Sequence, residues 1–206
     1  MKNTVAILAA TDDKLFDWAG PRPVLEWTLP KLDGIRGVDS VVCVVSKAMA
    51  DRAKPLLEKA EIEMVVLPDG LGVDVRGDVT LLRWLCSVGP AAKADFALLI
   101  RAGLPFLPAC RMEECLEKVR SGRYDAAMTM RAGLVVDRPS ADGQMITAVC
   151  SMRVDGVKAV RAAGFRGENA RWPKSVAAVD VSFIESLDVS RGGLDAVKAM
   201  ADAGAA

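Results

Sequence analysis

The chain contains no histidine. Ser-His-Asp and Cys-His catalysis, histidine general bases and most zinc enzymes are thereby excluded, because each needs an imidazole to move a proton or hold a metal. Net charge is lacking too. The 27 Lys plus Arg balance 27 Asp plus Glu, so no global field draws the chain to DNA, RNA or an anionic membrane. Cys43, Cys86, Cys110, Cys115 and Cys150 are scattered and form no C-x-x-C pair. That excludes a disulfide or zinc framework and predicts reduced, mostly buried thiols in a cytoplasmic protein. Long apolar runs are absent as well. Val5–Ala10 is followed by Asp12 and Asp13, which is too short for the core of a signal peptide and far too short for a bilayer. Chemistry must therefore rest on carboxylates, lysines, arginines, backbone amides or a bound metal ion.

What is present is a large apolar fraction, 51% of 206 residues, enough to bury the core of one domain spanning residues 1–206. With no net charge to keep copies apart, it predicts a homodimer. Short apolar runs alternate with helical patterns. Strands are expected at Thr4–Ala10, Ser40–Val45, Glu63–Leu67, Asp95–Arg101, Tyr124–Met130, Ile146–Arg153 and Ser175–Val181. Helices are expected at Pro23–Leu32, shortened or kinked by Pro30, and at Lys47–Ala60, interrupted near Pro55. Further helices are expected at Val79–Ser87, Arg111–Ser121, Val154–Ala163 and Gly192–Ala203, with residues 131–145 as a mobile excursion. Strand then helix, repeated, with strands apolar on both faces, predicts a doubly wound α/β domain with a mostly parallel sheet.

The stretch Lys14-Leu-Phe-Asp-Trp-Ala-Gly-Pro-Arg-Pro-Val-Leu-Glu-Trp27 resembles the segment of CMP-sugar synthetases and spore-coat-type cytidylyltransferases that runs from a loop lysine into "GG-K-P-L-L-E-W". Arg76-Gly-Asp-Val-Thr-Leu-Leu-Arg-Trp84 resembles that family's "RG…DVL-x-R-Y". Asp95-Phe-Ala-Leu-Leu-Ile-Arg-Ala-Gly-Leu-Pro105 resembles "AD-x-V-V-R-x-T-G-D-C-P", and Leu187-Asp-Val-Ser-Arg-Gly-Gly-Leu194 echoes "D-V-D-T-P-E-D-L". The resemblance implies a Rossmann-like, three-layer α/β/α nucleotidyltransferase fold, that of nucleotide-diphospho-sugar transferases. It implies Mg²⁺ as cofactor and a nucleotide or nucleotide-sugar as ligand. Carried over position by position, it assigns Lys14 and Arg22 to catalysis. It assigns Ala9, Ala10, Lys14, Arg22, Arg101 and Gly103 to nucleotide binding, and Asp188, or Val189 under a one-residue shift, to the metal position.

Two departures bear on activity. The family's phosphate loop, of the form "A-R-x-x-S-x-R-L-P-G-K", is reduced to Ala10-Thr-Asp-Asp13 before Lys14. Its arginines and glycine are gone, and two acids face a polyphosphate at a cost of about 1–4 kcal/mol per close pair. The aspartate of "G-D-C-P" that holds Mg²⁺ is Gly103 here, which has no side-chain ligand. The resemblance thus implies a cytidylyltransferase-like protein of sugar or polysaccharide metabolism with impaired catalysis, a pseudoenzyme acting by binding or interaction. An active CMP-sugar-forming enzyme with a shortened loop is the alternative. A nucleotide-sugar-handling protein of glycosyltransferase type comes third, because no Asp-x-Asp stands at a strand end.

Each residue also has a plainer role open to it. Lys14 is either a phosphate contact or a surface lysine after a turn, and Arg22 either a phosphate contact or one half of an ion pair. Arg101 is divided evenly between the site and a structural ion pair, because an arginine after an apolar strand needs a partner. Asp12 and Asp13 read as caps of a turn or of the next helix. Asp188 reads as a turn residue or a metal ligand. Trp18, Trp27, Trp84 and Trp172 read as core or interface residues, not base-stacking platforms.

Overall fold

The structure is a computed structural model, and it describes residues 3–69, 84–85, 90–124, 126–131, 149–153, 176–189 and 192–203. The chain opens with β1 (Thr4–Ala10), in which every residue is buried. A 3₁₀ turn at Asp13–Phe16 leads into a small hairpin of β2 (Trp18–Ala19) and β3 (Arg22–Pro23), followed by α1 (Val24–Leu32). Then come β4 (Ser40–Val45), α2 (Ala50–Lys59), β5 (Glu63–Val66) and β6 (Phe96–Arg101). The rest of the described chain holds α3 (Ala109–Arg120), β7 (Ala126–Arg131), β8 (Val149–Arg153), β9 (Val176–Val181) and α4 (Leu194–Asp202).

Seven strands form one sheet in the order β5-β4-β1-β6-β8-β7-β9. Neighbours β5, β4, β1 and β6 run parallel, β8 runs against both β6 and β7, and β7 and β9 are parallel again. The parallel part needs cover on both faces, and the alternation of side chains along β1 shows how it is supplied. Ala6, Leu8 and Ala10 join a core with α1, α2, α3 and α4, among them Leu25, Leu57, Leu116 and Val197. Val5, Ile7 and Ala9 join a second core with Leu67, Leu85, Ala91 and Ala94 on the opposite face. Burying each large aliphatic side chain contributes roughly 1.5–3 kcal/mol. The expected α/β architecture is therefore observed.

Several details differ from the expectations. Pro55 does not interrupt its helix. It lies inside α2 on the exposed side, and the break falls earlier, between a 3₁₀ turn at Lys47–Met49 and Ala50. A proline on the outer face frees one carbonyl toward water, which satisfies it. Pro30 is likewise exposed, and α1 continues to Leu32. Trp18 is 64% exposed on β2 and is no core residue. Cys110 is exposed at the start of α3, while Cys43 and Cys115 are buried as expected. The helices expected at 154–163 and, apart from Trp84 and Leu85, at 79–87 lie outside the described residues, as do Cys86, Trp172 and the excursion after Arg131. Among the described residues, no helix is long and apolar enough to cross a membrane.

Candidate functional site

Strand order reverses at β1, which has β4 on one side and β6 on the other. In open α/β sheets the crevice beyond the carboxyl ends of such strands is where ligands bind. Ala10 at the end of β1 pairs with Val45 on β4, and Ala9 pairs with Arg101 on β6. The Ala102 amide donates to the Ala9 carbonyl at 3.1 Å. The buried Thr28 hydroxyl of α1 donates to the Ala102 carbonyl at 3.0 Å. These bonds tie α1 to the ends of β1 and β6.

Two of the expected site positions meet Asp188 here. The Val189 amide donates to the Gly103 carbonyl at 3.0 Å, which brings the late turn against the end of β6. Within that turn the Gly193 amide donates to the Asp188 carbonyl at 3.0 Å. A Cβ on Gly193 would stand 2.8 Å from the Asp188 carbonyl oxygen, so only glycine allows this approach. The turn carries the Asp188 carboxylate to 3.8 Å from Nη1 of Arg101. Both side chains are largely enclosed, 15% exposed for Arg101 and 4% for Asp188. Ala9, Arg101, Gly103 and Asp188 thus converge, and Ala10 lies one residue along β1.

The turn after β1 is built differently from a phosphate loop. Asp12 accepts a hydrogen bond through Oδ1 from the Lys14 amide at 2.9 Å and caps the 3₁₀ turn. The capping role expected for Asp12 is therefore observed, and one amide near the strand end is turned away from any ligand. Lys14 itself is half-buried on this turn.

Arg22 is held by the hairpin. Gly20 makes its turn with φ +63° and packs on Ala201 of α4. The Trp27 indole donates to the Ala19 carbonyl at 3.0 Å, and the Arg22 guanidinium lies 3.8 Å above the Trp27 ring. Nε of Arg22 is buried with no hydrogen-bond partner among the described residues. Arg22 therefore makes a cation–π contact where an ion pair was the plainer expectation.

Lys31 was missed by the sequence reading. Its ammonium donates to the Pro105 carbonyl, and its pKa is lowered first by burial and then by the nearby Arg22 charge. The signal lay in the spacing: Trp27 and Lys31 are i and i+4 on α1, so Arg22 stacked on Trp27 comes beside Lys31.

Mg²⁺ at Asp188 was an expectation. It needs oxygen ligands at about 2.0–2.1 Å, including one or two carboxylates. Gly103 supplies none, and a guanidinium already faces the Asp188 carboxylate. No group of three metal-ligating side chains occurs among the described residues. Asp188 thus offers one carboxylate where the resemblance implies two.

No protein-family model matches the sequence, and no curated protein matches it either. Solved structures do match. One is 4-diphosphocytidyl-2C-methyl-D-erythritol synthase from Anaerococcus prevotii DSM 20548, at TM-score 0.67 and 17% identity over 96% of this chain and 95% of that one. Another is CMP:2-keto-3-deoxy-manno-octonic acid synthetase complexed with CTP, at TM-score 0.64 and 11% identity over 88% and 90%. A third is a cytidylyltransferase from Leptospira borgpetersenii serovar Hardjo-bovis strain JB197, at TM-score 0.57 and 10% identity over 81% and 66%. The chain is cytidylyltransferase-like in its fold.

Proposed function

We propose that this chain is a degenerate relative of the sugar cytidylyltransferases, of the spore-coat polysaccharide type, that acts by binding and not by efficient nucleotidyl transfer. Its ligand is a nucleotide or nucleotide-sugar. The observation that carries this reading is the turn after β1, where the Asp12 carboxylate consumes the Lys14 amide. A polyphosphate needs converging N–H donors and cations. This turn offers an acceptor and a second acid, Asp13, in their place. That one structural neighbour is a synthetase complexed with CTP supports trying cytidine nucleotides first. The test is pyrophosphate release from CTP with Mg²⁺ and a panel of acidic sugars, run beside calorimetric titration with CMP. The reading expects heat from CMP and no pyrophosphate above the protein-free control; steady turnover would overturn it.

A second reading, an active CMP-sugar-forming enzyme, is favoured by one observation. Arg22 and Lys31 place two cations side by side, and the Arg22 Nε is buried without a hydrogen-bond partner among the described residues. In such a reaction a sugar oxygen attacks the α-phosphorus and pyrophosphate leaves. Lys14, Arg22 and Arg101 would oppose the charge that develops on the phosphate oxygens. Replacing Arg22 by Ala would then lower turnover by about 10²–10³-fold.

A further inference from the structure

Arg22 and Lys31 are two cations held side by side, and neither forms an ion pair with a carboxylate among the described residues. Glu26, the one acid within α1, pairs with Lys59 at 3.6 Å instead. The Arg22 guanidinium makes no hydrogen bond among the described residues. Lys31 uses one of its ammonium N–H groups on the Pro105 carbonyl and keeps the others. The arrangement is built into the fold. Lys31 and Thr28 stand i+3 and i on α1 and donate to carbonyls of the segment that leaves β6, those of Pro105 and Ala102. Trp27, one turn before Lys31, is fixed by its indole bond to the Ala19 carbonyl and carries the Arg22 guanidinium 3.8 Å above its ring. We propose that Arg22 and Lys31 form a seat for one phosphate monoester group beside the carboxyl end of β6, with Lys31 as a ligand-binding residue. The inference goes beyond the nucleotide reading above, because the seat recognises the phosphate whatever carries it.

The ligand class follows from charge and shape. The Lys31 pKa is lowered first by burial and then by repulsion from Arg22, so the pair is short of negative charge. An anion between the two removes that repulsion. A carboxylate brings a single negative charge, whereas a phosphate monoester brings about −1.5 to −2 at pH 7 and several acceptor oxygens. The monoester therefore matches two cations where a carboxylate leaves one uncompensated. The guanidinium lies against the indole and keeps its in-plane N–H groups for hydrogen bonds. The ammonium adds a point charge from a second element, and together they suit oxygens arranged around a phosphorus.

Calorimetry at low ionic strength with methyl phosphate, acetate, CMP and glucose 6-phosphate tests the seat. Methyl phosphate is expected to bind wild type, and acetate to bind at least about tenfold more weakly. Lys31→Gln is expected to weaken methyl phosphate by about tenfold or more, and Lys31→Arg to restore it to within about threefold of wild type. No binding of methyl phosphate by wild type overturns the inference, as does a folded Lys31→Gln protein that binds it within about twofold of wild type. A second measurement needs no variant. In trace labelling with acetic anhydride, read by peptide mapping, saturating methyl phosphate should lower the labelling of Lys31. Lys54, which pairs with Glu58 on α2, should be labelled as before. Equal labelling of Lys31 with and without methyl phosphate overturns the inference. The carrier is read from the two larger ligands: CMP tighter than glucose 6-phosphate supports the seat on a nucleotide, and the reverse order supports it on a sugar phosphate. The two readings fail separately. Methyl phosphate binding with CMP no tighter would defeat the nucleotide reading and uphold the seat, whereas CMP binding undiminished in Lys31→Gln would defeat the seat and leave the nucleotide reading standing.

Discussion

The hydroxyl of Thr28 donates to the carbonyl of Ala102 at 3.0 Å, and both residues are buried. This bond ties α1 to the first residue beyond β6 and so sets the distance between the Arg22 segment and the Arg101 strand end. Thr28→Val keeps the shape and removes the donor, leaving a buried carbonyl with one fewer partner. The expected loss is about 1–3 kcal/mol, read as a lower denaturation midpoint at unchanged denaturant slope.

Gly193→Ala places a methyl group 2.8 Å from the Asp188 carbonyl oxygen. The obstacle is backbone, so the turn itself must shift. A destabilisation of about 1–3 kcal/mol is expected in thermal or chemical unfolding. Gly192→Ala tests the same turn differently. Gly192 has φ +89° but open space around its Cβ, so its cost is conformational only.

Thiol reactivity should divide by burial. Cys43 on β4 is buried and its pKa is pushed up to about 12 by desolvation. Cys115 is buried on α3, whereas Cys110 is exposed at its start. With iodoacetamide at pH 8 and peptide mapping by mass spectrometry, Cys110 should be labelled ahead of Cys43 and Cys115. Cys43 and Cys115 should lag by at least ~10²-fold, reacting only through opening of the core. Equal labelling of Cys43 and Cys110 in folded protein would contradict the burial of β4.

Two carboxylates predict a loss of stability in acid. The Glu113 pKa is lowered first by its side-chain hydrogen bonds with Arg36, at 3.0 Å from Nε and 2.7 Å from Nη2, and then by the Arg36 amide at 3.0 Å. For Glu185, burial alone would raise the pKa. Hydrogen bonds from the Ser182 amide and hydroxyl and from Arg111 outweigh it, and the net shift is downward. Folded-state values below the ordinary 4.5 mean that both groups bind fewer protons folded than unfolded. Their contribution is fully present above that value and disappears as pH falls through the lower folded values. Melting temperatures measured from pH 6 to pH 3 should decline, and Glu113→Gln should flatten the decline.

Much of the fold was legible because buried parallel strands are continuous apolar runs. Thr4–Ala10 and Ser40–Val45 stand at the boundaries expected for them. Strand direction is another matter. β8 reads like its neighbours in periodicity, yet it runs antiparallel, because direction depends on the connections and not on the strand's own residues. The side of a helix that Pro55 faces was likewise invisible until packing placed it outward. At the candidate site, Arg101 and Asp188 were each singled out, but their pairing spans most of the chain and leaves no local signature. Lys31 carried only an i, i+4 relation to Trp27, which gains meaning once Arg22 is seen above the indole.

On the proposed reading, a polyphosphate is neither gripped nor cleaved at this strand end. Phosphorus NMR of CTP mixed with stoichiometric protein, Mg²⁺ and an acidic sugar tests it most directly. The three CTP resonances should persist with no pyrophosphate signal over hours. Their replacement by pyrophosphate and a single phosphodiester resonance would contradict it.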